Sequence, residues 1–292
     1  MNLWQQYLRP SNLSEALQLL SSAPTPVCVI AGGTDLMLDL RQGRHAPVYT
    51  LVDLNDIPEM TTLEERDGEL FIGAAVPISR IAFSPLAGKH ARALVEACHL
   101  IGGPQVRNMA TLGGNVAHAL PAADGTIAMI ALDAQAEIAE ITGRRRVPLA
   151  ELFIGPGQSS LRTGQELLVG FYIPSVARQQ ASAFKRIMRD QGIALPILNL
   201  AVWLERKFNC ISEVRIAVGP SGPTPQRIAA AEDILRGQPL TADICDRALE
   251  ALLQQVHFRT SPQRASGEYR QQLVEVLLKE TLETAWQRTN PL

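Results

Sequence analysis

The sequence predicts an α+β fold, and three observations carry that prediction. Short apolar runs separated by Gly, Pro and Asp-Gly turns fill the first 180 residues with strand and short-helix patterns. Three strand patterns then follow one another with no helix between them, over residues 182–188, 197–205 and 211–218. The chain closes on helical periodicity over 227–236, 241–256 and 266–288. Strands followed by helices, rather than strict alternation, give an α+β arrangement. With 292 residues, 46% hydrophobic and 19% charged, the chain can build a sizeable core, which excludes wholesale disorder. No apolar run approaches the roughly 18 residues of a membrane span. The polar start, MNLWQQYLRPSNL, lacks a secretory signal pattern, so a cytoplasmic protein beginning at or near Met1 is expected.

Taken in order, Ser11 is the expected N-cap of a helix whose Leu13, Ala16, Leu17 and Leu20 share one face. Pro24 and Pro26 end it. Residues 27–30 form a strand, Gly32-Gly33 turns the chain, and Thr34-Asp35 opens a helix with Asp35 as its cap. Strands are expected over 50–54 and 70–74, separated by the polar residues 64–69 with a hairpin signal at Asp67-Gly68. Residues 91–101 read as a helix stopped by Gly102-Gly103-Pro104. Residues 105–125 have neither period, which marks a long irregular segment of functional use. A helix begins at Asp124-Gly125, and strands follow over 136–141, 146–149 and 167–173. The polar, proline-led stretch from 174 to 180 places a boundary near 176, dividing the chain into 1–176 and 177–292.

The charge balance is 27 Lys+Arg against 29 Asp+Glu, which leaves no basic field for a phosphate backbone and speaks against nucleic acid as a partner. Cys28, Cys98, Cys210 and Cys245 lie far apart with no CxxC spacing, so this chain offers no iron–sulfur or structural zinc site, and free thiols fit a reducing compartment. The five histidines form no HExxH or i,i+4 pair, and no metal site is expected. There is no GxxxxGK[ST], no GxGxxG and no GxSxG. Gly155-Pro156-Gly157 reads as a turn, and Arg144-Arg145-Arg146 as a solvated hairpin.

Two segments remain: Cys28-Val29-Ile30-Ala31-Gly32-Gly33-Thr34-Asp35 and Ala110-Thr111-Leu112-Gly113-Gly114-Asn115. Each sets a Gly-Gly pair beside small polar residues. Glycine allows positive φ and close backbone approach, and consecutive N–H groups in such turns form anion-binding concavities. Together the loops suit the two charges of a dinucleotide pyrophosphate, with Thr34, Thr111 and Asn115 adding side-chain hydrogen bonds. A lone Gly-Gly is usually only a turn, and Asp35 suits a cap better than a place facing phosphate.

This pair of segments, AGGTDL and TLGGNVA, resembles the flavin-binding subunit of the molybdenum hydroxylases, the group that includes xanthine dehydrogenase and carbon monoxide dehydrogenase flavoproteins. Further matches run through the chain in the same order. They include Tyr7-Leu8-Arg9-Pro10, Gly103 through Asn108, Ala123-Asp124 and Gly155-Pro156-Gly157. Phe184-Lys185, Met188-Arg189-Asp190, Pro223 through Arg227, and Arg264-Ala265-Ser266 with Tyr269-Arg270 complete them. The resemblance implies a vanillyl-alcohol-oxidase (PCMH)-type FAD-binding domain over 1–176, with lobes of about 1–56 and 57–176. A small C-terminal domain over 177–292, an antiparallel sheet plus helices, would follow. It implies non-covalent FAD held by residues 28–35 and 110–115, with Arg107, Asp124, Leu167 and Lys185 also near the cofactor. In two places the sequence departs from relatives: Ile193 and Ala194 stand where many carry Asp and an aromatic residue near the flavin. The absence of a four-cysteine insertion argues against the benzoyl-CoA reductase branch.

By this resemblance the chain is an oxidoreductase subunit that takes electrons from two [2Fe–2S] clusters in a small partner and passes them to NAD⁺ or another acceptor. A large molybdopterin subunit would oxidise the substrate. No side chain here is expected to act as a catalytic acid or base; the cofactor carries the chemistry. The alternatives are a stand-alone flavin-dependent oxidase or reductase acting on a small molecule, and a flavin-less interaction protein that has kept the fold.

Overall fold

The computed structural model describes residues 3–189, 195–262 and 264–289. The chain opens with β1 (Gln6–Leu8), α1 (Leu13–Ser22), β2 (Val27–Ile30), α2 (Leu36–Arg41) and β3 (Thr50–Asp53). These strands form a parallel sheet in the order β1-β3-β2, the helices supplying the crossovers that parallel pairing requires. The cap of α1 is Asn12 rather than Ser11: Asn12 accepts from the Glu15 N–H at 2.9 Å. Glu15 reaches back to the Ser11 N–H and hydroxyl at 2.7 and 2.9 Å, so both residues serve the helix start. Asp35 does stand at the N-cap of α2, but its side chain makes no capping bond.

Next come β4 (Leu63–Arg66), β5 (Glu69–Gly73), α3 (Ile78–Ala82), α4 (Pro85–His90), α5 (Arg92–Leu100), α6 (Pro104–Met109), α7 (Leu112–Ala117) and α8 (Asp124–Ala131). The Asp67-Gly68 turn has φ of +50° and +80°, the double left-handed geometry of a tight hairpin. It joins β4 to β5, whereas β3, the other strand expected here, belongs to the first sheet. The stretch expected to be irregular is organised: α6 and α7 fill most of it, each too short to show a helical period. The chain returns through β6 (Gln135–Glu140), β7 (Gly143–Pro148), the small hairpin β8 (Phe153–Gly155) and β9 (Gln158–Ser159), and β10 (Leu167–Pro174). A second, antiparallel sheet results, in the order β4-β5-β10-β6-β7.

The remainder is β11 (Gln180–Ile187), β12 (Leu198–Lys207), β13 (Cys210–Gly219), β14 (Gln226–Arg227), α9 (Ala229–Leu235), α10 (Ala242–Gln255) and α11 (Gly267–Arg288). Its antiparallel sheet runs in strand order, β11 to β14. Both faces of this sheet are covered. Ala183, Leu200, Val202, Leu204 and Ile216 pack with α9, α10 and α11 in one apolar core. Phe184, Ala201, Trp203 and Ala217, one residue out of phase, join the other core, which is built from the rest of the chain. A strand buried on both faces reads as a continuous apolar run, as 197–204 does. No helix among the described residues is long and apolar enough to cross a membrane.

Candidate cofactor site

The two glycine loops lie against each other. A Cβ on Gly32 would stand 2.1 Å from the Met109 carbonyl oxygen and 2.8 Å from the Ala110 Cα, so only glycine permits this contact. Gly33 is left-handed, with φ +66°. The carbonyls of this first loop are committed. Ile30 O accepts from Leu54 N at 2.9 Å, Ala31 O from Asn55 Nδ2 at 3.0 Å, and Gly33 O from Met37 N at 3.0 Å. Its amides are not: among the described residues, the N–H groups of Gly32, Gly33 and Thr34 have no protein acceptor. Consecutive free amides at a left-handed glycine form an anion cradle. Cys28 and residues 30–34 are half-buried, while Val29 and Asp35 are exposed. Residues 28–30 sit on β2, an edge strand of the parallel sheet, and residues 31–35 follow directly from it.

The second loop is built differently. Leu112 N donates to Val76 O, Gly113 N to Ala74 O at 2.8 Å, and Gly114 N to the Thr111 hydroxyl at 3.1 Å. Leu112 is fully buried and Gly113 is pinned on Ala74, where a Cβ would meet backbone at 2.6 Å. Thr111, also buried, spends its oxygen on the cap of α7. The run of unpaired N–H groups lies in the first loop; the second has spent its Leu112 and Gly113 N–H groups on Val76 and Ala74, just after β5, and its Gly114 N–H on its own cap. What it presents is surface: Gly114 is exposed, and a Cβ there would meet only Thr111 Oγ1, at 3.2 Å. Asn115 adds a buried Oδ1 with no hydrogen-bond partner among the described residues, directed at Gly125 on the first turn of α8. A buried acceptor without a donor is costly unless something supplies one.

Asp124 begins α8 and is buried. Arg186 Nη1 donates to its Oδ2 at 2.5 Å, and Asn199 Nδ2 to its Oδ1 at 2.7 Å. Burial pushes its carboxyl up in pKa, against the downward pull of the Arg186 guanidinium and the Asn199 amide. Neither Arg186 nor Asn199 was legible as a site residue, although signals existed. Asn199 is a lone amide inside an apolar strand, and Arg186 is one step out of phase with Lys185.

Three further expected residues are engaged within the protein. Arg107 turns back on its own loop, donating to the Ile101 and Gly102 carbonyls at 3.1 and 2.6 Å. Leu167 lies in the core on β10. Lys185 is on the face of β11 toward α11, its Nζ 2.8 Å from Glu280 Oε2. Ile193 and Ala194 lie outside the described residues. The Arg144–Arg146 run is spent on ion pairs to Glu59, Glu166 and Glu69. Two concavities, of about 210 Å³ beside Arg92 and Arg288 and about 300 Å³ between α1 and the β6–β7 hairpin, include no residue of either glycine loop.

Free loop amides, a glycine-lined contact and an unpaired Asn115 acceptor fit a cofactor that carries phosphates at one end and hydroxyl groups along its length. This is the site of a nucleotide-cofactor protein. Residues 3–176 match the family described as FAD binding domain in molybdopterin dehydrogenase, and residues 182–285 match the CO dehydrogenase flavoprotein C-terminal domain. The chain is 34% identical to the nicotine 6-hydroxylase medium subunit of Paenarthrobacter nicotinovorans, over 97% of this chain and 98% of that one. It is also 34% identical to the xanthine dehydrogenase FAD-binding subunit of Escherichia coli O157:H7, over 96% and 95% of the two chains. Among solved structures, a chain of carbon monoxide dehydrogenase from Hydrogenophaga pseudoflava superposes with a TM-score of 0.91 at 28% identity, over 97% of this chain and 98% of that chain. The chain belongs to the FAD-binding subunits of the molybdenum hydroxylases, with a PCMH-type FAD domain followed by the family's C-terminal domain.

Proposed function

We propose that this chain is the electron-transfer subunit of a molybdenum hydroxylase complex, working with a large molybdopterin subunit and a small [2Fe–2S] subunit. The observation that carries the reading is the cradle of unpaired amides at Gly32, Gly33 and Thr34, packed on Met109 and Ala110. The amides would take the FAD pyrophosphate, Gly114 would let the cofactor lie against α7, and Asn115 Oδ1 would accept from one of its hydroxyl groups. Cys28, Val29, Ile30 and Ala31 would line the approach along the open edge of β2. Thr111, Leu112 and Gly113 would shape the wall from behind, and Asp124 would close the far end.

When bound, flavin would supply the redox chemistry between the partner's clusters and NAD⁺ or another acceptor. The chain's own residues bind, orient and shield it; the reading gives none of them a proton to move. The flavin would be non-covalent, because no histidine or cysteine sits in the AGGTDL loop to attach it. The division into 1–176 and 177–292 belongs to the same proposal, supported by the family matches on either side of residues 177–181.

Gly114→Val tests the site. Its side chain has space within the fold and would occupy the surface offered to the cofactor, so folded protein lacking flavin absorbance is expected. Gly33→Val is a poorer test because φ +66° strains any β-branched residue. Normal flavin content in folded Gly114→Val would overturn the assignment. Purification from the native source should bring molybdenum and iron with the flavin. Flavin reduction by a small substrate with this chain alone would instead favour a stand-alone enzyme.

A further inference from the structure

Strand parity separates two neighbouring cations on β11. Lys185 shares its face with Ala183, looks onto α11 and is held by Glu280 at 2.8 Å. Arg186 shares the opposite face with Phe184, which packs into the core of the FAD-binding part. Its side chain is 6% exposed and its Nη1 lies 2.5 Å from Asp124 Oδ2. Two further observations distinguish Arg186 from an ordinary buried ion pair. Its Nε is buried and has no hydrogen-bond partner among the described residues. Asp124 receives one donor on each oxygen, Arg186 on Oδ2 and Asn199 on Oδ1, whereas an ionised carboxylate offers about four acceptor positions. The pair is therefore fixed in place and incompletely satisfied, beside Gly125 and the orphaned Asn115 Oδ1.

We infer that Arg186, and not Lys185, is the cation that the C-terminal sheet contributes to the cofactor site. It acts as a positioning residue that holds the Asp124 carboxylate ionised and aimed at a hydroxyl or N–H donor of FAD. Asn199 fixes the other carboxylate oxygen, so Asp124 is held from two strands of one sheet. The inference rests on the proposed seat of FAD beside Asp124.

The test is FAD titration of the flavin-stripped full chain, followed by flavin fluorescence, for Arg186→Gln, Arg186→Lys, Lys185→Gln, Asp124→Asn and the Arg186→Gln/Asp124→Asn double variant. Arg186→Gln should weaken FAD binding by about tenfold or more, and Arg186→Lys should restore it to within about threefold of wild type. Lys185→Gln should bind within about twofold of wild type. Because Arg186 acts through Asp124, the double variant should bind about as weakly as Asp124→Asn alone, the signature of coupled residues. Additive losses, or a Lys185→Gln loss with Arg186→Gln unchanged, would overturn the inference. Unchanged affinity in Asp124→Asn while Gly114→Val loses FAD sinks this inference and leaves the glycine-loop site standing. Unchanged affinity in both sinks the site itself. If Arg186→Gln does not fold, folded Asp124→Asn should lose FAD while folded Lys185→Gln keeps it, and loss of FAD in folded Lys185→Gln overturns the assignment.

Discussion

Gly32 and Gly88 differ in what surrounds a hydrogen atom. Replacing that hydrogen by a methyl group at Gly32 drives it into the Met109 carbonyl at 2.1 Å, and backbone cannot swing aside as a side-chain tip can. At Gly88, inside α4, a Cβ meets nothing within 4 Å. Gly32→Ala should therefore cost about 1–3 kcal/mol, through strain that pushes the loops apart, and should release flavin. Gly88→Ala should be neutral or stabilise by about 0.5–1 kcal/mol, because alanine is the better helix former, and should keep its flavin. Thermal melts and flavin-to-protein ratios of the two variants make the comparison. The glycine pairs were visible in the sequence as places where backbone approaches something closely. Which glycine touches the other loop, and which faces outward, was not visible, because the direction of each hydrogen depends on φ and ψ set by the fold.

Between elements, ionic ties do part of the joining, and Glu166 is the clearest case. Burial works against its ionisation, but hydrogen bonds from the Arg145 guanidinium and from the Arg162 backbone and side chain outweigh burial and hold its carboxyl down at about 2. Arg145 is on β7, so this buried carboxylate ties the β6–β7 hairpin to the turn that leads into β10. A folded-state pKa below the ordinary carboxylate value means that the stabilisation is complete above about pH 4.5. It is lost as pH falls toward about 2. Wild type should exceed Glu166→Gln by on the order of 2–3 kcal/mol at neutral pH, and the gap should close by pH 2 in urea melts. A gap that persists at pH 2 would mean that packing, not charge, is what Glu166 contributes. The arginine run looked like a solvated hairpin in the sequence, and the hairpin is there. Its partners Glu59, Glu166 and Glu69 are 21 or more residues away along the chain, a separation that no local pattern reports.

Across the whole molecule, the sheet β11–β14 is shared between two cores, and Phe184 shows the consequence. It lies on the C-terminal sheet yet packs into the core of the FAD-binding part. Phe184→Ala should cost about 3–5 kcal/mol and lower the melting of the whole chain in one transition, not that of the C-terminal part alone. Calorimetry that resolves two transitions, only one of them shifted, would contradict it. Order and type of most elements were legible because each depends on local period and on stops such as Asp67-Gly68 and Gly102-Gly103-Pro104. The strands of the shared sheet were legible too, but a stretch apolar on both parities, as 200–204 is, carries no mark of which side faces which core. Strand parity therefore separates Lys185 from Arg186 only once the sheet has partners on both faces. By itself the sequence determined the α+β class, the two glycine loops and the family resemblance, all of which rest on residue type and spacing along the chain. Tertiary structure alone decided that the loops touch, that only the first keeps its amides free, and that Arg186 and Asn199 meet Asp124. These are contacts between residues up to 78 positions apart, and closing such distances is the work of burial and packing rather than of local preference.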